Sequence, residues 1–182
     1  MGMFPQTRLT VLARAKSDDP SHRAEAWRHL ATVYQRPIYL HLRLKWGKSQ
    51  AEAQDLTPPF FLRAVERDFL GGYEPTKGRF RAFVRVSLDR LVINAAEAER
   101  AQKRGGGAAA VDLDVADLEL SVASARCQDP DRVFEQQWAK AVLDQSIATL
   151  QSQLEEEGRG HQFEAFRRYD LVDEQPTYAE VA

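Results

Sequence analysis

The sequence predicts an all-α protein. Apolar residues recur at helical spacing through most of the 182 residues, no run alternates as a half-buried strand would, and capping residues stand where the apolar runs begin. Asp19-Pro20-Ser21 opens a first helix carrying Ala26, Trp27, Leu30, Val33 and Tyr34, since an aspartate caps free N–H groups and a proline suits the first turn. Pro37 is expected to end or kink it before Ile38, Tyr39, Leu40, Leu42 and Leu44, and Gly47 closes the arm. Ser49-Gln-Ala-Glu52 matches a capping box, so a short helix starts there. In Asp55–Leu70 two consecutive prolines lack N–H donors, which predicts a break or sharp kink at Thr57, with Thr57 as N-cap and Pro58 at the first helical position. Gly71-Gly72 ends that segment, and Tyr73–Gly78 is a turn-rich loop.

The next helix is the most informative. On a helical wheel Phe80, Phe83, Val84, Ser87, Leu88, Leu91, Ala95 and Ala98 share one face, with Arg85, Asp89, Arg100 and Lys103 roughly opposite. Phe83 is assigned to the core and Phe80 is left open. Val86 and Ile93 fall off the apolar stripe, so either a second helix covers them or they meet a partner. Gly105-Gly-Gly follows this helix and reads as a C-cap and hinge. The acidic stretch beyond it, with Asp112, Asp114, Asp117 and Glu119, is predicted to be a flexible tether. Asp129-Pro130 then starts a long helix through Phe134, Trp138, Val142, Ile147, Leu150 and Leu154, which stops near Gly158, and a second helix spans His161 to Tyr169.

Charge is divided along the chain. The whole carries 25 basic and 27 acidic residues, net −2. Up to Arg104 there are 19 basic and 11 acidic residues, net +8; beyond it there are 6 and 16, net −10. A polyanion would be drawn to the first part and repelled by the second. No apolar run reaches the ~20 residues of a membrane span, and the N-terminus has no secretory pattern, so the protein is expected in the cytoplasm. Cys127 is the single cysteine, which excludes an internal disulfide and predicts a small buried hydrophobe. His22, His29, His41 and His161 are scattered without metal-ligand spacing, and Trp27, Trp46 and Trp138 read as packing residues. No nucleophile with a base, phosphate-cradling glycine loop or HExxH motif appears, so no metal, cofactor or enzymatic activity is expected.

Asp55-Leu-Thr-Pro-Pro-Phe-Phe-Leu-Arg-Ala-Val-Glu-Arg-Asp-Phe-Leu70, Lys77-Gly-Arg-Phe-Arg-Ala-Phe83 and Arg100-Ala-Gln-Lys-Arg-Gly-Gly106 stand in the order and spacing of a known family. The chain resembles a bacterial RNA polymerase sigma factor of the extracytoplasmic-function class. The resemblance implies an N-terminal extension (1–21), a region 2 helical domain (22–104), an acidic linker (105–128) and a partial region 4 (129–182). It places Asp55, Phe60, Phe61, Arg63 and Glu66 on a helix facing the clamp helices of core RNA polymerase. Lys77, Arg79, Phe80 and Arg81 would border a loop that captures a flipped promoter base, and Arg85, Arg90 and Asn94 would lie along the helix that reads the minus-ten element. Arg100, Lys103 and Arg104 complete the DNA-binding set. The chemistry suits those residues: guanidinium groups neutralise phosphates, planar groups stack an unpaired base for ~1–3 kcal/mol, and an asparagine amide reads a base edge. Tyr178-Ala-Glu-Val-Ala182 resembles the start of the region 4 helix-turn-helix, so the chain is expected to be either a fragment or a variant without the helix that reads the minus-thirty-five element. An anti-sigma factor is a further implied partner. The alternative is a helical protein-interaction module that binds polymerase or a regulator without reading DNA.

Overall fold

The computed structural model describes residues 9–66, 69–101 and 115–171, with side chains throughout these except at 66, 97–101 and 115. Among the described residues are seven α-helices and no strand. They are α1 (Leu9–Ala15), α2 (Pro20–Leu44), α3 (Gln50–Glu66), α4 (Phe80–Ala101), α5 (Val115–Ala125), α6 (Pro130–Glu156) and α7 (Gly160–Asp170), with single 3-10 turns at Phe69–Gly72 and Pro75–Lys77. The chain divides into two compact units, Met1–Ala141 and Val142–Ala182.

The caps form as the sequence predicts. Asp19 Oδ1 accepts from the N–H groups of Ser21 (2.8 Å) and His22 (3.3 Å) and starts α2. At α3, Ser49 N–H donates to Glu52 (2.8 Å) and Glu52 N–H donates to Ser49 Oγ (3.3 Å), closing the capping box. These bonds, with the Lys48 ammonium, draw the Glu52 carboxyl down to about 2. Asp129 Oδ1 likewise accepts from Asp131 N–H (3.1 Å) at the start of α6.

The prolines do not end the helices that hold them. Pro37 neither ends nor interrupts α2, which runs 25 residues. It forfeits one hydrogen bond, to the Val33 carbonyl, while Val33, Tyr34, Pro37, Ile38, Tyr39 and Leu40 are all buried around it. Tertiary burial therefore outweighs the lost bond. Nor does α3 break at Thr57: Pro58 and Pro59 lie inside one helix, and Thr57 is not its cap. The Thr57 hydroxyl is wholly buried and donates to the Ala53 carbonyl (2.7 Å), while the capping box starts the helix eight residues earlier.

In the first unit α2 is the axis, packed by α1, α3 and α5. Its Tyr34 ring meets Phe80 of α4 edge-on at 5.7 Å and lies 6.3 Å from Phe134 and 6.4 Å from Trp138 of α6. Phe60, Phe69, Tyr73 and Phe83 extend this cluster through tilted and edge-on pairs, the geometry the ring quadrupole favours. Gly72 belongs to the same wall, since a Cβ there would lie 3.6 Å from the Phe83 ring. Phe134 and Trp138 are 0% and 1% exposed. Each such side chain is worth roughly 2–3 kcal/mol of burial, which ties the first part of α6 to this unit, whose limit is Ala141.

The acidic stretch is a second departure, because residues 115–125 form a helix instead of a tether. Leu118, Val122 and Ala125 are buried, and the acids pair with basic residues of α2. Arg36 binds Asp117 and donates to Ser121 Oγ (2.7 Å), while Arg43 holds Glu119 from two nitrogens (2.9 and 2.6 Å). Tyr39 also donates to Glu119, and burial followed by that bond pushes its hydroxyl up to about 12. Cys127 is exposed in the turn after α5, contrary to the expectation of a buried thiol.

In the second unit, Phe163 is buried against Phe166 with ring centroids 6.1 Å apart. Gly158, at φ +70°, allows the turn before α7, where Arg159 N–H reaches the Leu154 carbonyl (2.7 Å) in the pattern of a Schellman motif.

Candidate nucleic-acid interface

α4 begins after a positive-φ glycine, Gly78, which turns the chain out of the loop. Its buried row is Phe80, Arg81, Val84, Leu88 and Val92, a row rotated from the predicted apolar face so that an arginine falls inside it. Arg81 is 1% exposed. It pairs with Glu135 of α6 and lies over the Trp138 ring, 4.5 Å from its centroid. Arg85 is partly buried next to it, 3.2 Å from Glu135, donating to the Asp131 carbonyl (3.2 Å) and 5.6 Å above Phe134. One acid of α6 thus neutralises two of the arginines assigned to DNA, and Phe80 is in the core at 4% exposure.

The opposite side of the helix is open. Arg90 and Asn94 are exposed, and Val86 and Ile93 beside them are 49% and 46% exposed, so among the described residues no second helix covers that pair. Lys77 and Arg79 are exposed just before the helix, with Lys77 paired to Glu74 at 2.7 Å. Arg100, Lys103 and Arg104 lie outside the described side chains. Arg79 and Arg85 also line an open groove of about 620 Å³, whose far wall is Asp129, Asp131, Arg132, Glu135 and Gln136.

Asp89 fastens the middle of α4. Its carboxylate accepts from His41 Nε2 (2.9 Å), Lys45 Nζ (2.8 Å) and Trp46 Nε1 (2.7 Å), all at the end of α2. Burial raises the energy of the charged form, but the Lys45, His41 and Trp46 bonds together prevail and hold the carboxyl below the ordinary aspartate value. Asp89 therefore sets how α4 is rotated and which residues it turns outward. No local signal marks this role, because its partners lie more than 40 positions away.

On α3, Phe60 is buried and pairs edge-on with Phe61 at 5.5 Å, while Asp55 and Arg63 are exposed. The Glu66 side chain lies outside the described residues. Leu62 and Val65, which the sequence reading passes over, are 59% and 46% exposed. Their three-residue spacing, off the face that buries Phe60 and Ala64, is the signal that would have found them.

Among the described residues no group of three histidine, cysteine or acidic side chains could hold a metal ion, and no helix is long and apolar enough to cross a membrane. No protein-family model, curated protein or solved structure matches the chain.

Proposed function

We propose that this chain is a transcription initiation factor resembling the extracytoplasmic-function sigma factors, which meets promoter minus-ten DNA through α4 and core RNA polymerase through α3. The observation that carries the reading is the open side of α4: Arg90 and Asn94 exposed on one helix, preceded by exposed Lys77 and Arg79, within the segment whose motifs resemble the promoter-reading part of that family. The side chains that touch DNA are then Lys77, Arg79, Arg90 and Asn94. Phe80 and Arg81 support the fold beneath them, and Arg85 is shared between the two roles. Lysine and arginine hold the backbone, while Asn94 and Arg90 have the donors and acceptors to discriminate bases. Capture of an unstacked base offsets the few kcal/mol of opening, so this function needs no catalytic group, metal or nucleotide hydrolysis.

Fluorescence titration of single-stranded minus-ten DNA, with core polymerase present, tests the reading. We expect binding that weakens about tenfold or more when Arg90 and Asn94 are replaced together by alanine. Absence of binding, or binding indifferent to that change, refutes it. Exposed Leu62 and Val65 favour one other reading, a polymerase-binding module that does not read DNA. That module would bind polymerase equally well with Arg90 and Asn94 removed and would show no DNA dependence.

A further inference from the structure

His41 lies where α2, α4 and α6 meet, with its side chain fully buried and its ring edge-on to Phe134 at 5.8 Å. The ionised Asp89 carboxylate has no proton to give, so the 2.9 Å bond requires that His41 Nε2 carry the hydrogen. In the neutral ring the other nitrogen, Nδ1, is then a bare acceptor. It stands 3.9 Å from Asp131 Oδ1 of α6, a second acceptor, and neither buried atom has a hydrogen-bond partner. Two buried acceptors facing each other are a mismatch that one proton would resolve.

We propose that His41 is a proton-operated joint: protonation at Nδ1 converts the facing acceptors into a charged hydrogen bond to Asp131 and draws the first turn of α6 toward α2. The contact must shorten by about 1 Å to reach the length of such a bond. The remaining charges around the joint are Asp89 on α4, Lys45, which lies 2.8 Å from Asp89 and 3.9 Å from Asp131, and Arg85, which holds the Asp131 carbonyl. Lys45 opposes the added charge and the two carboxylates favour it. Burial is the largest influence and keeps His41 below the ordinary histidine value of 6.5, so the joint operates on the acid side of that value. The linkage has the same origin. Stability contributed by neutral His41 is complete above 6.5 and is lost as pH falls from there toward its lower folded value. Asp89 precedes Arg90 on α4, so the joint holds the same turn of the helix that carries the open side.

Heteronuclear NMR of the full-length chain between about pH 8 and pH 5 tests this, with the Trp46 indole N–H reporting Asp89 and the backbone amides of Asp131 and Arg132 reporting α6. The three sets of signals should move together with the His41 ring along one titration whose midpoint lies below 6.5. In His41→Gln all of them should stand still. In Asp131→Asn, the decisive variant if H41Q does not fold, the Trp46 signal should still titrate and the α6 amides should not. A flat α6 response in the unmodified chain, α6 titration that persists in H41Q, or α6 titration in D131N would overturn the proposal. None of these outcomes involves DNA.

Discussion

Arg81 and Arg90 belong to the same helix and the same basic run, and the tertiary structure gives them opposite surroundings. Arg81 is sealed between Glu135 and Trp138 at 1% exposure, and Arg90 stands in solvent beside Asn94. A basic helix is therefore not one basic surface. The covered side of α4 uses its guanidinium groups to join α6 to the fold, where the planar fork and the cation–ring contact both count. On the open side the charge of Arg90 stays exposed to solvent.

Substitutions sharpen this contrast in order of expected effect. Arg81→Ala leaves Glu135 without its main partner and a gap over Trp138, so we expect a loss of about 3 kcal/mol of stability in denaturant unfolding. A change below about 0.5 kcal/mol would mean that the two sides of α4 are not different in kind. Arg90→Ala and Asn94→Ala should do the reverse, leaving stability within about 0.5 kcal/mol while each weakens minus-ten DNA binding by roughly 1–3 kcal/mol. For Arg90→Ala the slope of affinity against salt should also fall by about 1 if it meets a phosphate. Arg85→Ala lies between, with about 1 kcal/mol off stability and a smaller change in DNA affinity, because its charge is already shared with Glu135 and the Asp131 carbonyl. Lys77→Ala is the smallest: its exposed pair with Glu74 should contribute under about 0.5 kcal/mol to the fold, measured by the same unfolding experiment.

A second pair of regions repeats the lesson. The start of α3 was legible because a capping box is a short-range device: Ser49 and Glu52 satisfy each other's backbone within one turn. The middle of α3 was not, because a proline pair is a breaker only when nothing else holds the helix together. Buried Ala53, Thr57, Phe60 and Ala64 hold it, with the Thr57 hydroxyl on the Ala53 carbonyl. Likewise Asp117 and Glu119 read as part of a solvated tether, since their partners Arg36 and Arg43 are some 80 positions away, while Asp112 and Asp114 lie outside the described residues.

The sequence by itself determined the helical class, the caps at Asp19, Ser49 and Asp129, the glycine turns at Gly47 and Gly158, and the concentration of positive charge before Arg104. These follow from local backbone chemistry and from counting, which need no knowledge of neighbours. Only the tertiary structure decided that Pro37 and Pro58-Pro59 stay inside helices, that α5 docks on α2, and that α6 covers Arg81 while Arg90 stays open. Each of those outcomes is set by burial and charge pairing between residues distant in the chain. Such long-range terms are as large as the local preferences they overrule.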